Sequence, residues 1–122
     1  MRLILVLLFS ISLYQCSNDD DDNDRVTVCV SFDERQCGGN DWITENIDLN
    51  DTDAKVDALK SYLSNMSIQT VKVSADPEFH DFVCEACFVC PTGTRYTIEI
   101  DTVFAGEIVG LNLLNPEQVT CD

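Results

Sequence analysis

Six cysteines downstream of residue 20 carry the clearest potential for chemistry in this chain of 122 residues. They are Cys29, Cys37, Cys84, Cys87, Cys90 and Cys121. Three of them lie at spacings of three within residues 84–90, and Pro91 follows directly. Cysteines in such a pattern can form structural disulfides, exchange thiols with a substrate, or ligate a metal. Each of these chemistries makes a different demand on the surrounding chain.

Thiol–disulfide exchange would use Cys84 and Cys87, which have the spacing of the reactive pair in oxidoreductases. In such enzymes the pair lies at a helix N-terminus, where the helix dipole lowers the thiol pKa. The helix predicted here begins at Pro77, about two turns earlier, and Glu85 would disfavour a thiolate. An oxidoreductase that uses Cys84 and Cys87 is therefore the alternative function.

A metal or iron–sulfur site is the other alternative for the cysteines. The run followed by proline is similar to part of the bacterial ferredoxin run, whose next cysteine would fall at Thr94. Cys29, Cys37 or Cys121, or His80 in the case of zinc, could complete such a site. A chain that is exported unfolded leaves the machinery that builds clusters behind. We therefore expect no metal and no cofactor.

The N-terminal segment has the pattern of an export signal. Met1-Arg2 is followed by a run from Leu3 to Tyr14 that is apolar except for two serines. One positive charge before about a dozen apolar residues is typical of a signal peptide, and the run is too short for a comfortable membrane span. It closes with Leu13-Tyr14-Gln15-Cys16, and the acidic run Asp19–Asp22 follows.

This N-terminus resembles the precursors of bacterial lipoproteins, in which a lipobox ends in a cysteine that is lipidated and becomes the first mature residue. Leu13 and Cys16 match the outer positions of that box, whereas Tyr14 and Gln15 stand where small residues are usual. The acidic continuation is similar to lipoproteins of the Bacteroidota, where such a run is associated with display on the outer surface. The resemblance implies lipidation of Cys16 and anchoring at the outer membrane or cell surface.

The alternative location is that of an ordinary secreted protein cleaved near Tyr14, in which Cys16 is simply a seventh cysteine. The triplets Asn50-Asp51-Thr52 and Asn65-Met66-Ser67 are glycosylation sequons, which would suit a eukaryotic secretory protein. The lipoprotein is preferred because lipidation of Cys16 leaves six cysteines, an even number.

The charge balance limits the partners of the protein. With 22 acidic and 7 basic residues, the chain carries a net charge of -15. This charge argues against nucleic acid, whose phosphates require Lys and Arg, and against electrostatic adhesion to anionic lipid. The run Asp19–Asp22 lacks the spaced ligands, turn glycine and distal Glu of a calcium loop. We interpret it as part of a solvated tether.

Hydrophobic periodicity predicts three strands and two or three helices. Apolar residues alternate with polar ones over residues 26–32 and 96–101, as in strands with one polar face. Residues 67–74, which contain Ile68, Val71 and Val73, are predicted to be the second strand. Helical spacing covers residues 51–66, with a buried stripe, and residues 77–90, and a short helix follows Asp101. Residues 33–50 are predicted to be a loop in which Gly38-Gly39 turns the chain and Trp42 and Ile43 fold back over the core.

These elements predict a small two-layer α+β domain with the helices on one face of the sheet. The expected organisation is a signal peptide over residues 1–15, a lipidated acidic tether over residues 16–25, and a disulfide-stabilised domain over residues 26–122. A domain of about 100 ordered residues buries only a modest core, so disulfides would contribute to its stability.

Structural disulfides are the preferred interpretation of the six cysteines, since an exported chain meets an oxidising environment. The sequence does not choose among the possible pairings. Within a regular helix, a bridge between Cys84 and Cys87 would require an unfavourable sulfur geometry. We therefore expect at least two bridges to leave residues 84–90 for the other three cysteines.

The sequence predicts a membrane-anchored lipoprotein of the cell envelope that is a binding or structural module and not an enzyme. His80 is the chain's one histidine, and no serine lies in a nucleophile-elbow sequence. No catalytic residue is therefore predicted, and His80 is interpreted as a surface or packing residue. The expected partners are the membrane, through the lipid on Cys16, and an unidentified protein or small molecule.

Overall fold

The computed structural model describes residues 25–81, 84–87 and 89–122. The predicted signal peptide, the lipobox and all of the tether except residue 25 lie outside these residues. Among the helices that are described, none combines the length and the apolar character needed to cross a membrane.

Four antiparallel strands form one sheet in the order β2-β3-β1-β4. The strands are β1 (Thr27–Arg35), β2 (Thr70–Asp76), β3 (Pro91–Asp101) and β4 (Leu114–Val119). Helix α1 (Thr52–Asn65) lies between β1 and β2 in the chain. A 3₁₀ turn (Thr102–Phe104) and the short helix α2 (Ala105–Val109) connect β3 to β4. The predicted α+β class is confirmed.

The predicted number of strands is wrong, because the sheet has four strands and not three. The three predicted strands correspond to β1, β2 and β3. The fourth, β4, reads Leu-Asn-Pro-Glu-Gln-Val, and its four central residues are exposed. It therefore shows no apolar alternation. Pro116 lies in this strand, and β4 is at the sheet edge, where the missing N–H donor of a proline is tolerated.

The helix predicted over residues 77–90 is also wrong, since the described residues of this range form turns and bends. Cys84 and Cys90 have Cα atoms 5.6 Å apart, whereas six residues of an α-helix rise about 9 Å. The segment also contacts β3: His80 N donates to Gly93 O at 3.2 Å. A Cβ on Gly93 would lie 2.9 Å from Pro77 O. Covalent links and this close backbone contact override the helical pattern.

The core lies between the helices and one face of the sheet. Across β1 and β3, Phe32 stands opposite Tyr96 and Val30 opposite Ile98. Leu59 and Leu63 of α1 and Ile108 of α2 belong to the same buried cluster. Full burial of each such side chain contributes about 1.5–3 kcal/mol. The opposite face of the sheet, called here the open face, carries the odd-numbered residues of β1 and β3.

The predicted fold-back of Trp42 over the core is confirmed. Its side chain is 3% exposed, and its ring lies edge-on to Phe32 and Tyr96, with centroids 5.4 and 5.5 Å apart. The predicted turn at Gly38-Gly39 is also present, with φ angles of 95° and 80° that glycine adopts without steric cost. Residues 36–51 thus cover one end of the core.

Helix α1 is present where it was predicted. Asp51 caps it, because Asp51 Oδ1 accepts a hydrogen bond from Ala54 N at 3.1 Å, and such caps are worth about 1 kcal/mol. Met66 of the predicted stripe is exposed, since the helix ends at Asn65. The buried positions of α1 are Lys55, Leu59 and Leu63. A lysine therefore occupies the first buried turn of this helix.

Candidate functional site

The six cysteines form three disulfides, which confirms that the cysteines are paired. The pairs are Cys29–Cys121, Cys37–Cys87 and Cys84–Cys90, with Cα–Cα distances of 5.3, 5.2 and 5.6 Å. The expectation that two bridges leave residues 84–90 is wrong, because only one does. The physical reason is that this segment is not a helix, so it can close on itself. The two cysteines of the alternative redox pair are each bonded to a different partner.

The disulfide between Cys29 and Cys121 attaches the C-terminal segment to the open face of β1. Cys29 lies on the more polar face of its strand, as predicted, and is nevertheless 3% exposed. A carboxylate oxygen of Glu99 and the two sulfur atoms lie within 4.8 Å of one another. Both sulfurs are bonded in the disulfide, so this grouping does not present the thiolates that a metal requires.

The other two disulfides fasten two loops together. Cys37–Cys87 joins residues 36–51 to the segment before β3. Gln36 strengthens this junction, since its side-chain Nε2 donates to Cys84 O at 2.6 Å and to Pro91 O at 3.0 Å. Both loops are therefore held at the end of the sheet where β1 finishes and β3 begins.

We call this end of the sheet, where Arg35 stands opposite Pro91, the distal end. It is far from the point where the chain enters the sheet. The entry point is at Thr27, which stands opposite Asp101; we call it the tether end. The nine residues of β1 separate the two ends by about 27 Å.

On the open face, the distal end holds a network centred on Asp33, which is 2% exposed. Asp33 Oδ1 accepts from His80 Nε2 and from Arg95 Nη1, both at 2.8 Å. Asp33 Oδ2 accepts from Asn115 Nδ2 at 3.0 Å. Arg95 Nη2 also donates to Glu117 Oε2 at 3.0 Å. The network joins β1, β3 and β4 to the loop before β3.

The electrostatics of this network favour the charged form of Asp33. Burial acts to raise the pKa of Asp33, but hydrogen bonds from His80, Asn115 and Arg95, with the charge of Arg95, hold that pKa below its ordinary value. An ionised carboxylate can only accept, so His80 carries a proton on Nε2. His80, interpreted from the sequence as a surface or packing residue, thus has a specific structural partner.

A groove of about 330 Å³ on the open face borders this network. Arg95 and Phe79 both line it, and the guanidinium of Arg95 lies 5.1 Å from the centre of the Phe79 ring. Asp33 and Glu117 hold the same guanidinium. Of the two cations that line this groove, Arg95 and Lys72, Arg95 is therefore already engaged by the protein itself.

On the core face, the distal end holds a second network, centred on Glu34. Lys55 Nζ of α1 lies 3.0 Å from Glu34 Oε2 and 3.2 Å from Oε1. Tyr96 donates its hydroxyl hydrogen to Oε2, and Thr92 Oγ1 donates to Oε1 at 3.4 Å. The Lys55 and Glu34 side chains are 5% and 9% exposed. We call Glu34 and Lys55 the buried pair.

The proton on Tyr96 is firmly held. Burial, the hydrogen bond to Glu34 and the negative charge of Glu34 all raise the pKa of Tyr96 far above its ordinary value. The hydroxyl therefore donates throughout the range in which proteins fold. Desolvation of the two charges of the buried pair is costly, and the hydrogen bonds that Glu34 accepts offset part of that cost.

The buried pair lies at the wall of a cavity that has a volume of about 700 Å³. The loop over residues 36–51 supplies an apolar wall from Ile43, Ile47 and Leu49. Thr92 and Thr94 of β3 line the cavity beside the pair. A cavity of this size with apolar walls and a few convergent polar groups has the character of a small-molecule site.

Glu34 and Lys55 were not among the residues predicted from the sequence, although the position of each carries a signal. Lys55 precedes Leu59 and Leu63 at intervals of four, so it falls on the buried face of α1. Glu34 continues the alternation of Val30 and Phe32, so it falls on the core face of β1. A charge on a predicted core face of each element would have pointed to a buried pair.

No family model, curated protein or solved structure matches this chain.

Proposed function

We propose that this protein is a lipid-anchored lipoprotein of the cell envelope, at the outer membrane or cell surface, and that its disulfide-bonded domain is a non-catalytic binding module. The single observation that carries the binding role is the position of the cavity. It lies at the distal end, whereas the chain that leads from Cys16 joins β1 at the tether end.

The dimensions suit display of the distal end away from a membrane. Residues 16–25 span up to about 30 Å when extended, and β1 adds about 27 Å. A ligand approaching from the outside would therefore meet the loops over residues 36–51 before it met the lipid surface. The acidic run within the tether also favours separation from an anionic membrane.

The chemistry of the distal end suits binding better than catalysis. The carboxylates of Asp33 and Glu34 each accept several hydrogen bonds from the protein. Groups held in this way are rigid, and they are not free to exchange protons with a substrate. Rigidity lowers the entropy lost when a ligand binds, which favours a preorganised site.

The anchor is tested by expressing the full chain in a bacterium that processes lipoproteins and comparing it with Cys16→Ser. Wild type should incorporate labelled fatty acid and sediment with membranes, whereas Cys16→Ser should do neither. Ser17→Ala, which alters the neighbouring residue and keeps the thiol, is the matched control and should behave as wild type. Membrane association of Cys16→Ser with normal cleavage would overturn the proposal.

Display is tested separately on intact cells. A protease added outside should cleave the wild-type protein without lysis if the domain lies on the outer surface. Protection of the domain until the outer membrane is opened would place it on the inner face of that membrane. Recovery of the protein from the medium, unlabelled by fatty acid, would instead support the secreted alternative.

A further inference from the structure

We propose that the cavity at the distal end binds a small, neutral and mainly apolar molecule that carries a carbonyl oxygen, and that Lys55 Nζ donates a hydrogen bond to this oxygen. The inference deepens the proposed function, since it assigns a ligand class to the binding module. It stands on the donor and acceptor inventory of the buried pair and on the composition of the cavity walls.

The carboxylate of Glu34 has no capacity left for a ligand. A carboxylate offers about four lone-pair sites over its two oxygens. Oε1 accepts from Lys55 and Thr92, and Oε2 accepts from Lys55 and Tyr96. A ligand that presents an N–H or O–H donor would therefore find the strongest acceptor of this wall already saturated.

Lys55 has a donor to spare. An ammonium group carries three N–H donors, and the described partners of Lys55 Nζ are the two oxygens of Glu34. At least one N–H is thus without an acceptor among the described residues, on a side chain that is 5% exposed and lines the cavity. A buried donor without an acceptor is costly, so an oxygen entering the cavity would be favoured here.

The charge around Lys55 selects a neutral oxygen over a carboxylate. Glu34 already neutralises the ammonium at 3.0 Å. Of the other charged residues that line the cavity, Glu45 is balanced by Arg35, whose guanidinium donates to Gly39 O and to Asn112. A ligand carboxylate would lose its hydration and meet Glu34 across a short distance in a medium of low dielectric. A carbonyl oxygen accepts the same hydrogen bond without that repulsion.

The apolar part of the cavity lining favours a ligand with an apolar body. Ile43, Ile47 and Leu49 all face the cavity from the loop over residues 36–51. Leu49 is 62% exposed, so the apolar part of a ligand would cover it. Removal of this apolar surface from water would favour binding.

The test uses two probes of equal length, 2-octanone and octanoate, on the full chain carrying Cys16→Ser and exported without detergent. Methyl resonances of Ile43 and Ile47 report occupancy of the cavity in ¹H–¹³C NMR. We expect 2-octanone to shift both resonances saturably and to bind at least tenfold more tightly than octanoate. Absence of a saturable shift with 2-octanone, or equal affinity for octanoate, would overturn the inference.

The apolar wall is tested by Leu49→Asp, with Val103→Asp as the matched control. Both residues are exposed, at 62% and 74%, so neither change should impair folding. Val103 follows β3 and does not line the cavity. Leu49→Asp should weaken 2-octanone binding at least tenfold and Val103→Asp should leave it unchanged. Equal effects of the two changes would contradict binding in this cavity.

The role of Lys55 is tested by the double variant Glu34→Gln with Lys55→Met, which removes both charges together. Loss of one hydrogen bond to a charged donor should weaken 2-octanone binding about tenfold. Ketone binding unchanged in this variant would refute the role of Lys55.

The results on ketone binding do not depend on lipidation. If fatty-acid labelling of Cys16 fails while the ketone binds, the proposed anchor is wrong and the proposed ligand class stands. Successful labelling without ketone binding would leave the anchor standing and refute the ligand class.

Discussion

Asp33 and Glu34 are neighbours in β1, and their carboxylates lie on opposite faces of the sheet, each at the centre of a separate buried network. Asp33 binds His80, Arg95 and Asn115 on the open face. Glu34 binds Lys55 and Tyr96 on the core face. The alternation of side chains along a strand produces this division, and it ties the loop before β3 and helix α1 to one short stretch of β1.

Replacement of Lys55 by Met should destabilise the domain by about 3–5 kcal/mol, because it leaves the carboxylate of Glu34 buried without its cation. Urea denaturation at neutral pH measures this change. Lys60→Met is the matched control, since Lys60 lies in the same helix and is half exposed; its effect should stay within about 0.5 kcal/mol. Similar effects at the two lysines would show that the buried pair does not contribute as described.

The pH dependence of stability should carry the signature of Asp33. Its folded-state pKa lies below the ordinary value of 3.8, so the folded state favours the ionised form. The contribution is fully present above pH 3.8 and is lost as the pH falls through the folded-state pKa. Asp33→Asn should cost about 2 kcal/mol at pH 7 through loss of charged hydrogen bonds.

The measurement for Asp33 is the free energy of unfolding of wild type and variant between pH 2 and pH 7. The difference between them should shrink below pH 3.8. Asp57→Asn, at a 77% exposed side chain of α1, serves as the control and should give a small and constant difference. A gap for Asp33→Asn that is independent of pH would contradict this assignment.

The three disulfides should differ in their effect on stability, because they close loops of very different length. Cys29–Cys121 spans 92 residues and Cys84–Cys90 spans 6. The chain-entropy model gives about 4.6 kcal/mol for the longer loop and about 2 kcal/mol for the shorter. Paired Cys→Ser variants, compared by thermal denaturation, should follow this order, and complete reduction should unfold the domain. The reverse order would reject the entropic account here.

Gly93→Ala should destabilise the protein, since the new methyl group would lie 2.9 Å from Pro77 O. We expect a loss of about 1–3 kcal/mol, as for other overpacked sites. Gly106→Ala is the control, because Gly106 lies in α2 and a methyl group added there would meet nothing within 4 Å. It should be neutral or stabilising by up to about 1 kcal/mol. Equal losses at both glycines would dispute the contact with Pro77.

Sequence periodicity was sufficient for the elements whose partners lie in the layers of the core. Val28, Val30 and Phe32 alternate because β1 has one core face, and Leu59 and Leu63 recur because α1 has one. The buried position of Trp42 followed from its place in a polar loop with few other apolar residues. Local patterns predict these features because burial imposes the period directly.

The same reasoning failed for residues 77–90, where the apolar spacing also fits a helix. Contacts outside the local pattern determine the structure there. Cys87 is bonded to the distant Cys37, Cys84 closes a short loop with Cys90, and Pro77 lies against Gly93. Edge strand β4 was not predicted because its exposed residues carry no apolar pattern. A strand at the edge of a sheet does not need one. The candidate site was not predicted because each of its charges can be buried only beside its partner. Lys55 lies 21 residues from Glu34, so no local pattern shows that the two side chains meet.

The disulfide between Cys29 and Cys121 has a mechanical consequence for a tethered domain. A pulling force applied between residues 25 and 122 would pass along the backbone from residue 25 to Cys29. It would then cross the sulfur–sulfur bond to Cys121 and continue to residue 122. The segment between the two cysteines, which are 92 positions apart in sequence, would carry none of that load. The sheet would resist such tension covalently, and shear of β1 against its neighbours would begin only after the bond was reduced.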